Sequence, residues 1–164
     1  MRPDEMQEKA VDLFLNRMHC SQVIALVGQE KLGVAAPAVI KAMGAFGGGI
    51  GGTGNICGAL VGAVGVIGSL YSRSSLEEKE NPRMWAATKK VVKNFEELSA
   101  PFGGINCAQI AQVDWMERDQ VKNFYTNPDS RRQHCIRVVG ETARALGELL
   151  DQEAAKMAEK NEKK

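Results

Sequence analysis

The cysteines of this chain fall into two matching frames, and this duplication constrains the fold more than any other feature. The first frame has CSQV beginning at Cys20 and CGALVG beginning at Cys57. The second frame has CAQI beginning at Cys107 and CIRVVG beginning at Cys135. Each half therefore carries C-x-Q-[VI] and then C-x-x-x-V-G, and no cysteine is left over. The pattern predicts two related halves whose thiols form a site where the halves meet.

Helical periodicity dominates the rest of the chain, and alternating strand patterns are nearly absent. We therefore predict an all-α helical bundle of about six or seven helices, with a weak internal two-fold repeat and a glycine-rich loop at 47–54. Asn16 and Gly33 are the expected left-handed ends of the first two helices. The stretch that contains Trp115 and Phe124 is expected to be irregular. The predicted helices span about 3–15, 20–31, 37–46, 56–72, 82–100, a segment that begins at 106, and 131–156.

Length and charge limit the class of protein. The 164 residues predict one domain over 1–159, with pseudo-repeat halves of about 1–75 and 82–159 and a frayed charged tail at 160–164. The formal net charge of +1 gives no electrostatic case for nucleic acid as a partner. The charged N-terminal residues contain no apolar signal segment, so we expect a cytoplasmic protein. Cytoplasmic thiols stay reduced unless they are catalytic or bind metal.

One uncharged, glycine-rich segment, 42–72, raises the question of a membrane span. Only Ile56–Tyr71 within it is continuous helix by its sequence, and this is shorter than the roughly 20 residues that a span requires. We therefore expect no membrane span, and a helix buried in the bundle instead. Small residues at helical spacing in this helix would let a neighbouring helix pack closely. The sequence leaves open whether that neighbour belongs to the same chain or to a second copy in a homo-oligomer. The small residues are Gly58, Gly62, Gly65 and Gly68.

Three of the four cysteines lie at predicted helix starts. Asn55 is the expected cap before Cys57, and Asn106 and Gln109 have the spacing of a capping box around Cys107. The free amides and the dipole at a helix start stabilise a thiolate, so we expect lowered pKa values for the thiols of Cys20, Cys57 and Cys107. The alternative is that buried cysteines act as small hydrophobic residues.

The segment from Gly49 to Gly54 matches G-x-G-x-x-G, the fingerprint of dinucleotide-binding proteins. A true fingerprint follows a β-strand, whereas the residues before this one are predicted to be helical. We expect instead that the glycines let backbone amides approach a bound cluster or anion. The candidate cofactor-binding residues are Gly49, Gly51, Gly54 and Gly58.

The order of these motifs resembles a known four-cysteine family, labelled C_GCAxxG_C_C and described as putative redox-active proteins. The resemblance rests on C-x-Q-[VI] at Cys20, the glycine loop, C-G-A-x-x-G at Cys57 and F-G-G-x-N-C ending at Cys107, and it spans about 8–145. It implies a bacterial or archaeal α-helical protein with a redox role, and it implies that Cys20, Cys57, Cys107 and Cys135 are the functional thiols. Members often have Gly-aromatic-Asn before the first cysteine, where this chain has RMH at 17–19.

Three functions stay open from the sequence. In the first, all four cysteines are metal ligands, in electron transfer or redox sensing, for an iron–sulfur cluster or for zinc. In the second, no cofactor binds, and cysteine pairs exchange disulfides with a substrate or an unknown redox partner protein; Cys20 with Cys57, Cys107 with Cys135, and pairs across the halves are all candidates. In the third, the chain is a non-catalytic helical interaction module with buried cysteines.

Overall fold

The computed structural model describes residues 1–162, with side chains through Glu159. This part of the chain forms eight α-helices and no β-strand, which confirms the predicted all-α bundle. The helices are α1 (Pro3–Leu15), α2 (Cys20–Leu32), α3 (Pro37–Met43), α4 (Gly58–Tyr71), α5 (Arg83–Ser99), α6 (Cys107–Ile110), α7 (Arg118–Thr126) and α8 (Arg132–Glu162).

The ends of α1 and α2 follow from local chemistry. Pro3 occupies the first turn of α1, where its missing amide costs no hydrogen bond. Gly33 ends α2 in the left-handed conformation with φ of 67°, as predicted. The expected left-handed Asn16 is wrong, because Asn16 has φ of −80° and the left-handed residue is Arg17, with φ of 71°. The chain therefore turns one residue later than the sequence suggested.

Two helix pairs build the core, an antiparallel pair of α1 with α8 and a parallel pair of α2 with α4. Helix α1 packs along α8, and α2 packs along α4 while also contacting α1, α3 and α8. Gly62 allows the close approach of α2 to α4, because a Cβ there would lie 2.6 Å from the Ser21 carbonyl oxygen. Burying one aliphatic side chain completely stabilises the folded state by about 1.5–3 kcal/mol relative to leaving it exposed. The largest fully buried apolar side chains are Met6, Ile24, Ile67, Ile110, Val23, Val27, Val138 and Val139.

One polar cluster joins α4, α5 and α8 inside this core. The Glu153 carboxylate is only 2% exposed. It accepts hydrogen bonds from the Tyr71 hydroxyl at 2.8 Å, from Arg83 Nε at 2.8 Å and Nη2 at 2.6 Å, and from Lys156 Nζ at 3.2 Å. A buried carboxylate needs such partners to stay charged. The cluster therefore fixes how the three helices meet.

Several predicted elements differ from the structure. The stretch around Phe124 forms α7, although we predicted it to be irregular, because its apolar pattern is too short to show helical periodicity by itself. Trp85 in the first turn of α5 is 62% exposed, so this large aromatic side chain lies outside the core. Helix α8 continues beyond the predicted end near Lys156 to Glu162. The side chains of the predicted frayed tail, 160–164, lie outside the described part of the chain, as does the backbone of 163 and 164.

The uncharged segment resolves into α3, a glycine loop and α4. Helix α4 contains 14 residues and begins at Gly58. Of the helices that residues 1–162 form, none is both long enough and apolar enough to cross a membrane. The residues before the G-x-G-x-x-G match are helical rather than a strand, so the backbone context of a dinucleotide fingerprint is not present there.

Candidate functional site

The four cysteine side chains line one cavity of about 350 Å³. Cys20 is the first residue of α2, and Cys107 is the first residue of α6. Cys57 directly precedes α4, and Cys135 lies in the first turns of α8. Four helix starts thus converge on one space. Cys57 and Cys107 are each 7% exposed, and Cys20 and Cys135 are half-buried.

The two halves are joined beside this cavity by backbone hydrogen bonds. The Cys57 amide donates to the Ile105 carbonyl at 2.9 Å, and the Cys107 amide donates to the Asn55 carbonyl at 2.7 Å. These bonds form an antiparallel bridge between Ile56 and Asn106. Asn55 therefore does not cap α4 as we predicted, because its backbone pairs with the other half. The bridge holds the second cysteine of one half next to the first cysteine of the other.

The start of α6 follows the predicted capping box in part. The Gln109 carboxamide accepts a hydrogen bond from the Asn106 amide at 3.0 Å, as its spacing suggested. The helix ends after a single turn at Ile110. The corresponding helix of the first half, α2, has 13 residues. The two halves therefore share the placement of their cysteines more closely than the length of their helices.

The glycine loop packs against the cysteines. A Cβ on Gly49 would lie 2.5 Å from the Asn55 carbonyl oxygen and 2.7 Å from Cys107 Cβ, so only glycine fits there. A Cβ on Gly58 would lie 2.7 Å from Cys20 Sγ. Gly51 lines the cavity, and Gly54 packs against Ala108. Of the candidate cofactor-binding glycines, Gly49 therefore contacts Cys107 and Gly58 contacts Cys20.

Cys20 and Cys57 form a hydrogen-bonded pair whose pKa values move in opposite directions. The Cys57 thiol donates to the Cys20 sulfur, and this bond is the main cause that lowers the pKa of Cys20. Burial opposes the shift, while the backbone amides of Ser21, Gly48 and Gly58 support it by donating to the same sulfur. The same bond, together with burial and the charge of Cys20, raises the pKa of Cys57 well above its usual value. The two pKa values therefore separate, so that Cys20 ionises before Cys57.

The other two thiols are held in the neutral form. Burial raises the pKa of Cys107, although the Trp115 indole nitrogen, 3.4 Å away, donates to its sulfur and opposes the shift. Burial and the neighbouring thiols Cys107 and Cys20 raise the pKa of Cys135 strongly. The predicted lowering is therefore right for Cys20 and wrong for Cys57 and Cys107. At Cys57 the hydrogen bond with Cys20 and then burial outweigh the helix start, and at Cys107 burial does so.

The comparisons with known proteins decide the family. Residues 18–149 match the family model C_GCAxxG_C_C, which is described as a putative redox-active protein. The chain belongs to this family. The matched range contains all four cysteines and most of the cavity. Searches of curated proteins and of solved structures each found no match.

Other residues at the cavity of this family member carried little sequence signal. Trp115 and Phe124 pack edge to face with ring centroids 5.1 Å apart, and both line the cavity. Tyr125 and Arg17 lie at the same cavity, with the guanidinium 4.4 Å from the tyrosine ring centroid. Phe124 and Tyr125 belong to α7, which the sequence did not predict, and Trp115 and Arg17 lie in turns. Gly48, whose amide donates to Cys20, is one of several identical neighbours in the loop.

The two histidines take different positions. His19 is exposed and lies against the glycine loop, where a Cβ on Gly47 would be 2.9 Å from its Nδ1. His134 is half-buried, and its ring packs against Phe102 with centroids 4.9 Å apart. Burial, Arg131 and Arg137 lower the pKa of His134, so it is neutral near pH 7. The histidines that precede Cys20 and Cys135 therefore lie in different surroundings, although each is adjacent in sequence to a cysteine.

The fit of a metal to this site depends on how closely the donors approach. Thiolates are the ligands that iron–sulfur clusters and structural zinc prefer. Within the described part of the chain, however, no three His, Cys, Asp or Glu side chains are grouped closely enough to hold a metal ion. The arrangement as it stands therefore fits a thiol pair with two further thiols nearby better than a closed set of four ligands.

Proposed function

We propose that this protein is a thiol–disulfide oxidoreductase in which Cys20 is the attacking thiolate and Cys57 the resolving thiol. One observation carries the proposal: Cys20 and Cys57 line the same cavity, with the Cys20 sulfur against Gly58 at the start of α4. The Cys57 thiol and nearby backbone amides lower the pKa of Cys20 there. Thiolates attack disulfides and neutral thiols do not, so stabilising one member of a close pair prepares it for exchange. The family's description as redox-active agrees with this chemistry.

The first step consumes the stabilised thiolate. Cys20 attacks one sulfur of a substrate disulfide, the substrate S–S bond breaks, and one half leaves as a thiolate that takes a proton from solvent. A mixed disulfide now joins Cys20 to the other half. The negative charge on Cys20 has disappeared, and with it the hydrogen bond and the charge repulsion that raised the pKa of Cys57. Cys57 therefore becomes easier to ionise only after substrate has reacted.

The second step releases the product. Cys57 loses its proton to the departing half, attacks the Cys20 sulfur and breaks the mixed disulfide. The protein ends as a Cys20–Cys57 disulfide, and the substrate has gained two electrons and two protons as a pair of thiols. A second dithiol compound returns the pair to its reduced state by the same steps in reverse. No cofactor takes part in this sequence.

A direct experiment compares the two cysteines. Reduced protein is mixed with hydroxyethyl disulfide, and the products are mapped by mass spectrometry without reduction. We expect a Cys20–Cys57 disulfide in the wild type, a trapped mixed disulfide on Cys20 in Cys57→Ser, and no reaction of the pair in Cys20→Ser. Trapping on Cys57 while Cys20 stays free would reverse the assigned roles, and an unreactive pair would end the proposal.

A second candidate function is ligation of an iron–sulfur cluster or zinc by all four cysteines. The observation that favours it is that the four thiols line the same cavity. When bound, such a group would supply electron transfer or a structural cross-link, with Cys20, Cys57, Cys107 and Cys135 as its ligands. Anaerobic purification followed by absorbance and by iron, sulfide and zinc analysis tests this candidate. A metal content that survives Cys135→Ser would exclude the four-ligand form.

A further inference from the structure

Arg17 has a backbone conformation that its residue type disfavours. Its φ of 71° lies in the left-handed region, where a side chain other than glycine, asparagine or aspartate costs about 1 kcal/mol or more. The turn is held by the Arg17 amide donating to Phe14 and the Met18 amide donating to Leu13, each at 3.1 Å. Glycine would fit this turn without strain. An arginine here points to a use for its side chain.

The Arg17 side chain lies at the cavity, where none of the described carboxylates pairs with it. Its guanidinium carbon is 4.4 Å from the Tyr125 ring centroid, a cation–π contact. The guanidinium carbon of Arg132 lies 5.3 Å from the same centroid. Arg132 donates to the Leu15 carbonyl at 3.1 Å, at the end of α1. Across the described side chains, no carboxylate pairs with either arginine, and Arg17 makes no side-chain hydrogen bond.

Two positive charges near one ring, with no carboxylate to balance them, create a site that favours an anion. This site adjoins the same cavity as the Cys20 sulfur. The cavity of about 350 Å³ has the size of a small-molecule site and is lined mainly by apolar and aromatic side chains. At its rim Met116 is 82% exposed, so the cavity is open to solvent there. A small disulfide with a negatively charged end would satisfy both parts of the site.

Resting on the proposed exchange at Cys20 and Cys57, we propose that the substrate is a low-molecular-weight disulfide with a carboxylate, and that Arg17 binds this carboxylate. The guanidinium offers paired N–H donors in the geometry that a carboxylate accepts. Tyr125 holds the guanidinium at the cavity while its nitrogens stay free. Binding the carboxylate at the rim leaves the disulfide inside, toward Cys20. Arg132 adds positive charge, but its guanidinium already donates a hydrogen bond to the Leu15 carbonyl at the end of α1.

The test compares two small disulfides of similar length and opposite charge, dithiodipropionate and cystamine. Reduced protein is mixed with each, and the loss of the Cys20 thiol is followed by quenched alkylation and mass spectrometry. We expect the wild type to react faster with dithiodipropionate. In Arg17→Gln the dithiodipropionate rate should fall about tenfold and the cystamine rate should rise, because a charge-assisted contact and a repulsion are both removed. Arg17→Lys should keep part of the preference.

Arg137→Gln is the matched control. Arg137 also lies over an aromatic ring, 5.7 Å from the Phe102 centroid, but it pairs with Glu141 at 2.7 Å and does not line the cavity. Its variant should keep the wild-type ratio of the two rates, and added salt should reduce the ratio in the wild type. Equal rates for both disulfides, or a ratio unchanged in Arg17→Gln, would overturn the role of Arg17 while leaving the exchange itself intact. If neutral hydroxyethyl disulfide fails to produce a disulfide between Cys20 and Cys57, the proposed function itself is overturned.

Discussion

The indole nitrogen of Trp115 lies 3.4 Å from the sulfur of Cys107 and donates a hydrogen bond to it. The indole N–H is a donor only, so it stabilises the charged form of the thiol more than the neutral form. It is opposed by burial, which wins and raises the pKa of Cys107. The reactivity of this thiol therefore depends on a residue from the loop between α6 and α7.

Replacing this donor should make Cys107 less reactive. Trp115→Phe keeps an aromatic ring against Phe124 but removes the N–H, so the pKa of Cys107 should rise further. At fixed pH we expect alkylation of Cys107 by iodoacetamide to slow about tenfold, which corresponds to a loss of about 1.4 kcal/mol. Trp85→Phe is the control, since Trp85 is exposed on α5. A Cys107 rate that is equal in both variants would contradict the role of the indole.

The contact between Cys20 and Cys57 lowers the pKa of one thiol and raises the pKa of the other, so removing either cysteine should shift the pKa of its partner in a known direction. Cys57→Ala removes the thiol that donates to Cys20, so the pKa of Cys20 should rise and its alkylation profile should move to higher pH. Cys20→Ala removes the charge and the acceptor beside Cys57, so the pKa of Cys57 should fall. The profiles are measured by alkylation and peptide mapping at a series of pH values. Shifts of the same sign in both variants would show that the hydrogen bond between the two thiols does not set their pKa values.

Gly58 and Gly68 make a matched pair on one helix. A Cβ at Gly58 would lie 2.7 Å from Cys20 Sγ and 2.9 Å from the Phe46 carbonyl oxygen, whereas a Cβ at Gly68 meets nothing within 4 Å. Gly58→Ala should cost about 1–3 kcal/mol of folding free energy and disturb the Cys20 thiolate. Gly68→Ala should stabilise the helix by up to about 1 kcal/mol. Urea unfolding measures both, and a neutral Gly58→Ala would contradict the close packing described here.

The buried Glu153 cluster predicts a pH dependence of stability. Burial raises the pKa of this carboxyl, but hydrogen bonds from Arg83, Tyr71 and Lys156 together hold it below the usual value. A depressed carboxyl pKa contributes stability above the pKa of the unfolded chain, about 4.3, and loses it as the pH falls through the folded value. At pH 7 Glu153→Gln should therefore destabilise the protein, by about 2 kcal/mol. The difference in free energy of unfolding between wild type and Glu153→Gln, measured with urea, should disappear in acid. A difference that stays constant from neutral pH to pH 2 would contradict a depressed pKa of Glu153.

Features set by neighbouring residues were predictable from the sequence. The Gly33 end of α2, the glycine loop and the Gln109 contact with the Asn106 amide each depend on a few adjacent residues whose backbone preferences are known. The convergence of the cysteines was suggested by their duplicated spacing. Helix α7 was missed because its apolar pattern is brief.

The chemistry of the thiols was not predictable in this way. Cys20, Cys57 and Cys107 have similar local sequences at helix starts, yet their pKa values move in different directions. The difference arises from contacts between segments distant in the chain: the Cys57 thiol on Cys20, the Trp115 indole on Cys107, and burial of all three. Local sequence determines the dipole and the free amides, but not which sulfur loses water or gains a donor.

The sequence by itself determined that this chain is helical, that its cysteines fall into two matching frames and that three of its thiols lie at helix starts, because periodicity, capping and turn formation act over a few residues. Tertiary structure alone decided which thiol is stabilised as an anion and that Arg17 reaches the cavity beside Tyr125. Both outcomes depend on desolvation and on charges brought together from separate helices, and neither quantity is defined until the helices have packed.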